Sequence, residues 1–432
     1  MGASPRAEIV LVVLFLVTLR LAAQPIETDV ERDLRSFYSG GGHHVVWVDA
    51  QGRPTQEALR AVTRLREAAD DGLDPTDYRT DELARQLAAL EDAQGFSSVD
   101  AAAFDVGLTA SVLKYFRHLH LGRVNPRTLG FHLDHAIEPH DFPERVRAAL
   151  TGHSFDGVAA ELRPAFVQYR ELREALPRYR SSEPARARQI ELAMERLRWL
   201  PDAAGQRLLV VNIPMFYLWG WERERDDGVP AISMAAITGR AGSTRTPVFG
   251  SAITSVVFNP DWIVPASIAN NEILPAVRAD AGYLARHHME MTMSAGAPRI
   301  RQLPGPWNAL GPIKFILPNI HGVYLHGTPA PALFDKERRD FSHGCVRVAD
   351  PFALAAWVLQ EEPDWAVDRI RAAVETNATR SIRVSRPPHV VLFYMTAAFV
   401  PENRSIRFAD DVYGHDARLD AWLQPQTDGG ER

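Results

Sequence analysis

The hydrophobic period of this chain changes once, near Gly205, and that change limits its fold more than any other feature. From Glu31 to about Arg198 the apolar residues recur at helical spacing. Leu34, Phe37 and Tyr38 share a face, then a Gly40-Gly41-Gly42 break leads into a short strand-like Val45–Val48. Over Ala58–Ala69 a stripe runs through Leu59, Val62, Leu65 and Ala69, with Gly72 as a stop. The spacing predicts another amphipathic helix over Phe104–Leu121, ending at Gly122, and a basic helix from Tyr179 to Leu200 that meets Pro201. After Gly205 the segments Arg207–Trp221, Ala231–Gly239 and Thr254–Phe258 are rich in Val, Ile and aromatics with turn residues between them, as strands are. Strand signals return at Lys314–Leu317 and Gly322–Leu325. Asp350 as N-cap and Pro351 as first residue open a helix that runs to Leu359. Val390–Thr396 and Ser405–Phe408 read as a final hairpin. Residues 259–307 interrupt the strands with prolines 260, 265, 275, 304 and 306 and a helix-like Ile268–Leu284, which predicts an insertion able to act as a lid.

Helices segregated from strands, with no βαβ alternation, indicate an α+β chain. The boundaries that follow are a signal peptide or anchor at 1–23, a helical domain at 27–165, a helical linker at 166–205, a β-rich domain at 206–385, a C-terminal hairpin at 386–420 and a tail at 421–432. The length of 432 residues suits two to three domains at roughly 150 residues each. A net charge of −6 without any Lys/Arg run leaves no electrostatic footprint for nucleic acid. Residues 9–19, IVLVVLFLVTL, cover only about half of the ~20 residues a helix needs to span lipid. They suit the apolar part of a secretory signal cleaved after Ala23; an uncleaved anchor and a short buried helix are the other readings.

Export gives meaning to the lone cysteine. One cysteine excludes an intramolecular disulfide framework, and in an oxidising compartment a single thiol is either buried or used. Cys345 lies in Ser342-His343-Gly344-Cys345-Val346-Arg347, downstream of Tyr324-Leu325-His326-Gly327-Thr328. A thiol attacks carbonyls as thiolate and needs a base or positive field nearby, and His326 and His343 are the close candidates. Gly344 removes side-chain bulk beside the nucleophile, so backbone N–H groups can approach a developing oxyanion. Acyl transfer is the chemistry this set supports. An inert thiol with two ordinary histidines is the bland reading. A zinc site built from His321, His326, His343 and Cys345 is the third, disfavoured by the Ser and Gly around the thiol.

His326 followed by Ser342-His343-Gly344-Cys345-x-Arg347 closely resembles the signature of L,D-transpeptidases with a YkuD-type catalytic domain. Phe258-Asn259-Pro260-x-Trp262, Ile268-Ala269-x-Asn271-Glu272-Ile273-Leu274-Pro275 and Pro304-Gly305-Pro306-Trp307-Asn308-Ala309-Leu310-Gly311 resemble the large, scaffold-bearing periplasmic subgroup. So do Asp71-Gly72-Leu73-Asp74-Pro75-x-Asp77-Tyr78 and Glu195-Arg196-Leu197-Arg198-Trp199-Leu200-Pro201. The resemblance implies a helical scaffold followed by a β-rich catalytic domain, located in the periplasm. Cys345 would be the nucleophile and His326 its base, oriented by the Gly327 carbonyl. His343 would shape the oxyanion environment, and the amides of Gly344 and Cys345 would bind the oxyanion. Arg347, Tyr324, Asn308, Lys314 and Ser342 are the residues expected to face substrate.

The implied reaction removes D-Ala from a peptidoglycan tetrapeptide stem and joins the stem to a diaminopimelate amine of a second one, a 3→3 cross-link, without cofactor or metal. Peptidoglycan stem peptides are the expected partners, with cell-wall synthesis proteins as candidates and no nucleic acid. Release of the stem to water, its transfer to a lipoprotein amine, and a non-catalytic wall scaffold are the rivals. The subgroup usually carries a peptidoglycan-binding module between scaffold and catalytic domain. Here Tyr169-Arg170-x-Leu172-Arg173 runs almost directly into Glu191-Leu192, so glycan engagement is expected from the catalytic domain, its lid or a partner.

Overall fold

The computed structural model describes residues 25–40, 44–92, 98–133, 140–151, 154–200, 206–222, 228–242, 244–294 and 296–424. The 1–23 leader and most of the 421–432 tail lie outside the described residues. Among those described, no helix is long and apolar enough to cross a membrane.

The front of the chain is helical: α1 (Pro25–Gly40), α2 (Gln56–Arg66), α3 (Thr80–Asp92), α4 (Ser98–Leu121), α5 (Phe142–Thr151) and α6 (Phe155–Leu162). Helix α4 is buried on most sides, with Phe104, Val106, Leu108, Val112, Leu113 and Phe116 all in the core, so it forms the centre of the bundle. Its buried Asp105 accepts hydrogen bonds from the Val46 and Trp47 amides at 2.7 Å each and from the Tyr38 hydroxyl at 2.6 Å. Those bonds tie α1 and the 45–48 loop to the central helix. The buried face of α2 is Ala58, Ala61, Val62 and Leu65; Val62 and Leu65 of the expected stripe are in it, while Leu59 and Ala69 are half-buried at its edge. The helix tightens to 3₁₀ geometry over Glu67–Asp71 and stops at Gly72, whose φ of +69° suits glycine.

The single helix expected over Tyr179–Leu200 is two, α7 (Val167–Ser182) and α8 (Pro184–Leu197). Proline has no N–H and clashes with the preceding turn, so Pro184 opens a new helix after the non-helical Glu183. Both helices bury Leu172, Leu176, Ile190 and Leu197 in the same core as the sheet that follows. A polar cluster joins them to the scaffold. Asp71, fully buried, accepts two bonds from Arg163 at 2.7 and 2.9 Å and one from Arg173 at 2.8 Å. Arg198 donates to the Asp71 carbonyl and the Tyr169 hydroxyl and pairs with Glu195 at 3.0 Å. Two of the quoted motif segments, around Asp71 and around Glu195, thus meet at one seam.

The second half supplies β1 (Leu208–Asn212), β2 (Tyr217–Trp221), β3 (Ile232–Gly239), β4 (Phe249–Ala252), β5 (Ser255–Phe258), β6 (Trp262–Ile263), β7 (Met289–Ser294), β8 (Ala297–Gln302), β9 (Ile313–Ile316), β10 (Leu325–His326), β11 (Asp340–Ser342), β12 (Val346–Val348), β13 (Arg380–Arg383), β14 (His389–Phe393), β15 (Ala397–Val400) and β16 (Ser405–Phe408). It also supplies α9 (Pro351–Leu359), α10 (Val367–Glu375) and α11 (His415–Leu423). An 11-stranded sheet runs β13-β5-β9-β10-β12-β3-β2-β1-β14-β4, with β11 beside β3. β4 ends the path on one side and β5 lies next to last on the other. Only Ile253 and Thr254 separate them in the chain, so the sheet must curl until its two ends meet.

The expected final hairpin is a correction. Val390, Val391, Leu392 and Phe393 are all buried, which fits an interior strand and not a half-solvated hairpin arm. β14 lies between β1 (parallel) and β4 (antiparallel), and the C-terminal hairpin is β15 with β16. Its Ala397 and Ala398, with Leu419 of α11, belong to the same core as the sheet.

The 259–307 insertion holds strands as well as helices. Its helix-like part divides into a turn at Ala266–Ile268, a π-turn at Ala269–Ile273, and short helices at Leu274–Ala279 and Tyr283–Arg286. A three-stranded sheet, β6-β8-β7, covers a small core of Val264, Ala269, Ile273, Met289 and Ile300.

Candidate active site

Strand register assembles most of the candidate residues on one sheet face. His326 on β10 lies opposite Lys314 on β9 and Arg347 on β12. Side chains alternate along a strand, so Tyr324 projects to the same side as His326, and Cys345 to the same side as Arg347. The neighbouring row, Phe315, Leu325 and Val346, is fully buried in the core.

Cys345 is partly accessible and sits on the turn between β11 and β12. Gly344 has φ of +113°, a backbone conformation that L side chains rarely adopt, so the turn requires glycine. Several groups hold it from below. Thr246 donates from Oγ1 to the Gly344 carbonyl at 2.8 Å and accepts the Gly239 amide at 2.8 Å. The Arg240 amide (3.1 Å) and the Thr244 hydroxyl (3.2 Å) both donate to the Ser342 carbonyl.

Ser342 closes the turn itself. Its hydroxyl donates to the Cys345 carbonyl and accepts the Gly344 amide at 3.1 Å. Two expectations change as a result. Ser342 is 2% exposed and fully used within the turn, so it does not face substrate. The Gly344 amide is engaged by Ser342, which leaves the Cys345 amide as the free backbone donor of the pair.

His326 is buried, and its Nδ1 is 2.6 Å from the Gly327 carbonyl. A carbonyl only accepts, so the ring proton is on Nδ1 and Nε2 carries the lone pair. Burial, then the Arg347 charge, push the imidazole down to about 3, against the pull of the Gly327 and Leu310 carbonyls; Lys314 pushes the same way as Arg347. The ring is therefore a neutral base. Burial also raises the Cys345 thiol, although the Tyr324 amide and hydroxyl, Lys314 and Arg347 draw it down. Among the described residues no hydrogen bond joins Sγ to His326; the thiol makes a long contact of 4.0 Å to the Gly322 carbonyl. The resting pair is thus neutral thiol and neutral imidazole.

Lys314 places its Nζ 3.8 Å from the Tyr324 ring centroid, and burial lowers its pKa. Arg347 is lowered by burial and by Arg240, and its buried Nε has no partner. No ion pair links Lys314 or Arg347 to a carboxylate among the described residues, so two cations act on the thiol without a carboxylate partner, and Arg240 adds its charge next to Arg347. The Tyr324 hydroxyl, raised by burial and by the neighbouring thiol, also meets Trp262 of β6.

Asn308 is a further correction. It is 1% exposed, and its amide donates to the carbonyls of Pro260 (3.0 Å), Gln302 (3.4 Å) and Leu303 (3.0 Å) while its oxygen accepts the Leu310 amide at 2.8 Å. It braces the root of the insertion and is not available to substrate. His321 lies against His132 and Phe249, with ring centroids 5.1 and 5.3 Å away. Among the described residues, no three His, Cys, Asp or Glu are grouped to hold a metal.

Sequence reasoning missed one site residue. Glu272, on the π-turn of the insertion, receives His343 Nε2 at 2.7 Å across 71 residues of chain. Glu272 was quoted only as part of a motif; the π-turn that aims it gives no periodic signal.

Residues 206–375 match the model of the L,D-transpeptidase catalytic domain, and residues 32–176 match that of the Scaffold domain. The chain carries a YkuD-type L,D-transpeptidase catalytic domain behind a Scaffold domain, as its motifs imply. It is also 31% identical over 270 residues to a candidate L,D-transpeptidase of Haemophilus influenzae. That alignment covers 58% of this chain and 53% of the relative, so the chain spans about half of the relative's length.

Proposed function

We propose that this protein is a periplasmic peptidoglycan L,D-transpeptidase that forms 3→3 cross-links through a Cys345 thioester. The observation that carries the reading is the chain's sole cysteine on a glycine-dependent turn, beside a histidine whose Nδ1 proton is committed to the Gly327 carbonyl. In the acylation step Sγ attacks the carbonyl between the third stem residue and the terminal D-Ala. His326 Nε2 takes the thiol proton and returns it to the departing D-Ala amine, so a C–S bond forms and a C–N bond breaks. Because the resting thiol is protonated, proton transfer accompanies attack.

The Cys345 amide and the Tyr324 hydroxyl are the donors left for the oxyanion. Lys314 and Arg347, which lack carboxylate partners, suit the carboxylates of the donor stem. The acceptor amine then resolves the thioester, and the insertion limits competition from water. Residues 1–23 direct export in this reading.

The test incubates the protein with purified disaccharide-tetrapeptide beside Cys345→Ala and follows products by mass spectrometry. Cys345-dependent loss of D-Ala with a new tetra–tripeptide dimer is expected. Loss of D-Ala without dimer makes the enzyme a carboxypeptidase or one that uses another acceptor. No reaction, together with no carbapenem adduct on Cys345 by intact mass, refutes the enzyme reading.

A further inference from the structure

We infer that the two sides of the active site serve different substrates, and that Glu272, acting through His343, prepares the acceptor amine; this rests on the reading just given. The charges around Cys345 are sorted by position. Lys314 and Arg347 lie on the sheet side, opposite His326 in the register and without carboxylate partners among the described residues. Glu272 comes from the insertion and is about half exposed, and its pairing is with His343 alone among the described residues. A donor stem presents carboxylates and suits the first side. An acceptor presents an alkylammonium, which must be held by negative charge and lose a proton before it can attack.

The His343–Glu272 pair can do both. A carboxylate accepts, so the 2.7 Å bond places a ring proton on Nε2, and Nδ1 is the nitrogen whose lone pair can take a proton. This is the opposite tautomer to His326, whose free nitrogen is Nε2. The chain therefore brings two imidazoles to the cysteine, His326 through the strand register and His343 two residues away on the same turn, each with one nitrogen fixed by a partner. His326 is buried between two cations, where an ammonium would be repelled. His343 is 28% exposed and carries a carboxylate, so it is the base an ammonium can approach. It also lies two residues from the nucleophile, on the same turn.

In the deacylation step the acceptor R–NH₃⁺ gives one proton to His343 Nδ1. The freed lone pair attacks the thioester carbonyl, a C–N bond forms and the C–S bond breaks. The second proton of the attacking nitrogen passes to the Cys345 sulfur, which restores the thiol, and the His343 proton returns to water. Glu272 is a positioning residue in this scheme. It fixes the tautomer of His343 and stabilises the imidazolium as it forms, the role of the third member in a nucleophile–base–orienter set.

The experiment measures D-Ala release and dimer formation in the same reactions, with disaccharide-tetrapeptide as donor and an isotope-labelled disaccharide-tripeptide bearing a free side-chain amine as acceptor. Wild type, Glu272→Gln and Glu272→Asp are compared over a range of acceptor concentrations. Glu272→Gln is expected to keep the first-turnover burst of D-Ala, to slow the dimer formation that follows by tenfold or more and to raise the KM for acceptor, with part of the loss recovered in Glu272→Asp. A carbapenem adduct on each variant checks that Cys345 still reacts. If the first-turnover burst of D-Ala slows as much as dimer formation, Glu272 merely braces the turn and the inference is wrong; an unchanged rate of dimer formation refutes it as well. Wild-type D-Ala release without dimer overturns this inference while leaving the thioester chemistry in place. Absence of D-Ala release by wild type overturns the function itself.

Discussion

His326 and His343 flank the same cysteine, yet opposite kinds of structure hold them. His326 is set by the regular sheet: its neighbours are dictated by register, its tautomer by the next residue's carbonyl, and its charge state by burial between Lys314 and Arg347. His343 is set by an insertion, through Glu272 on a π-turn that belongs to a separate small core. The first arrangement is rigid and local. The second depends on how the insertion is seated. In the proposed reaction, donor chemistry would rest on the sheet and acceptor chemistry on the insertion, because the two histidines have different structural supports.

The largest expected effect separates the two histidines directly. His326→Ala should lower D-Ala release by about 10²–10⁴-fold, the usual worth of a general base, whereas His343→Ala should affect dimer formation more than D-Ala release. Equal losses of D-Ala release in both variants, read by mass spectrometry, would erase the distinction.

The state of the resting thiol is the next test. Burial raises the Cys345 pKa above its ordinary value near 9.0, so the thiolate fraction grows with pH through the whole neutral range. Alkylation by iodoacetamide should rise about tenfold per pH unit between pH 6 and 8. A plateau there would mean a thiolate–imidazolium pair and a more basic His326 than its surroundings allow.

The smallest effect tests the seating of the insertion. Asn308→Ala removes a buried amide that ties Pro260, Gln302, Leu303 and Leu310 together. It should cost about 1–3 kcal/mol of stability, the penalty for buried partners left unpaired, as read by thermal denaturation. No change in the midpoint would show that the root of the insertion is held by other contacts.

Where local chemistry dictates structure, the sequence was readable. Asp350 does cap α9, accepting the Phe352 and Ala353 amides at 3.0 and 2.9 Å, and Gly72 does end its helix. The helical front and strand-rich back follow from periodicity, and the His326–Cys345 string marks the site because few folds need that combination. Short-range cues failed where a distant partner decides the outcome. Asn308 and Ser342 look like substrate-facing polar residues in a list of letters, and only their buried hydrogen bonds show otherwise. The strand 389–393 looks like half of a hairpin until its parallel pairing with β1, some 180 residues earlier in the chain, is seen.

The sequence by itself determined the order of the two halves, the identity of the nucleophile candidate and the family to which the catalytic domain belongs, because periodicity, caps and a dense motif are local properties. Only the tertiary structure decided which side chains share a sheet face, which nitrogen of each histidine is free, and that Glu272 reaches His343. Those outcomes depend on register and on long-range hydrogen bonds, and neither is written in the spacing of residues along one segment.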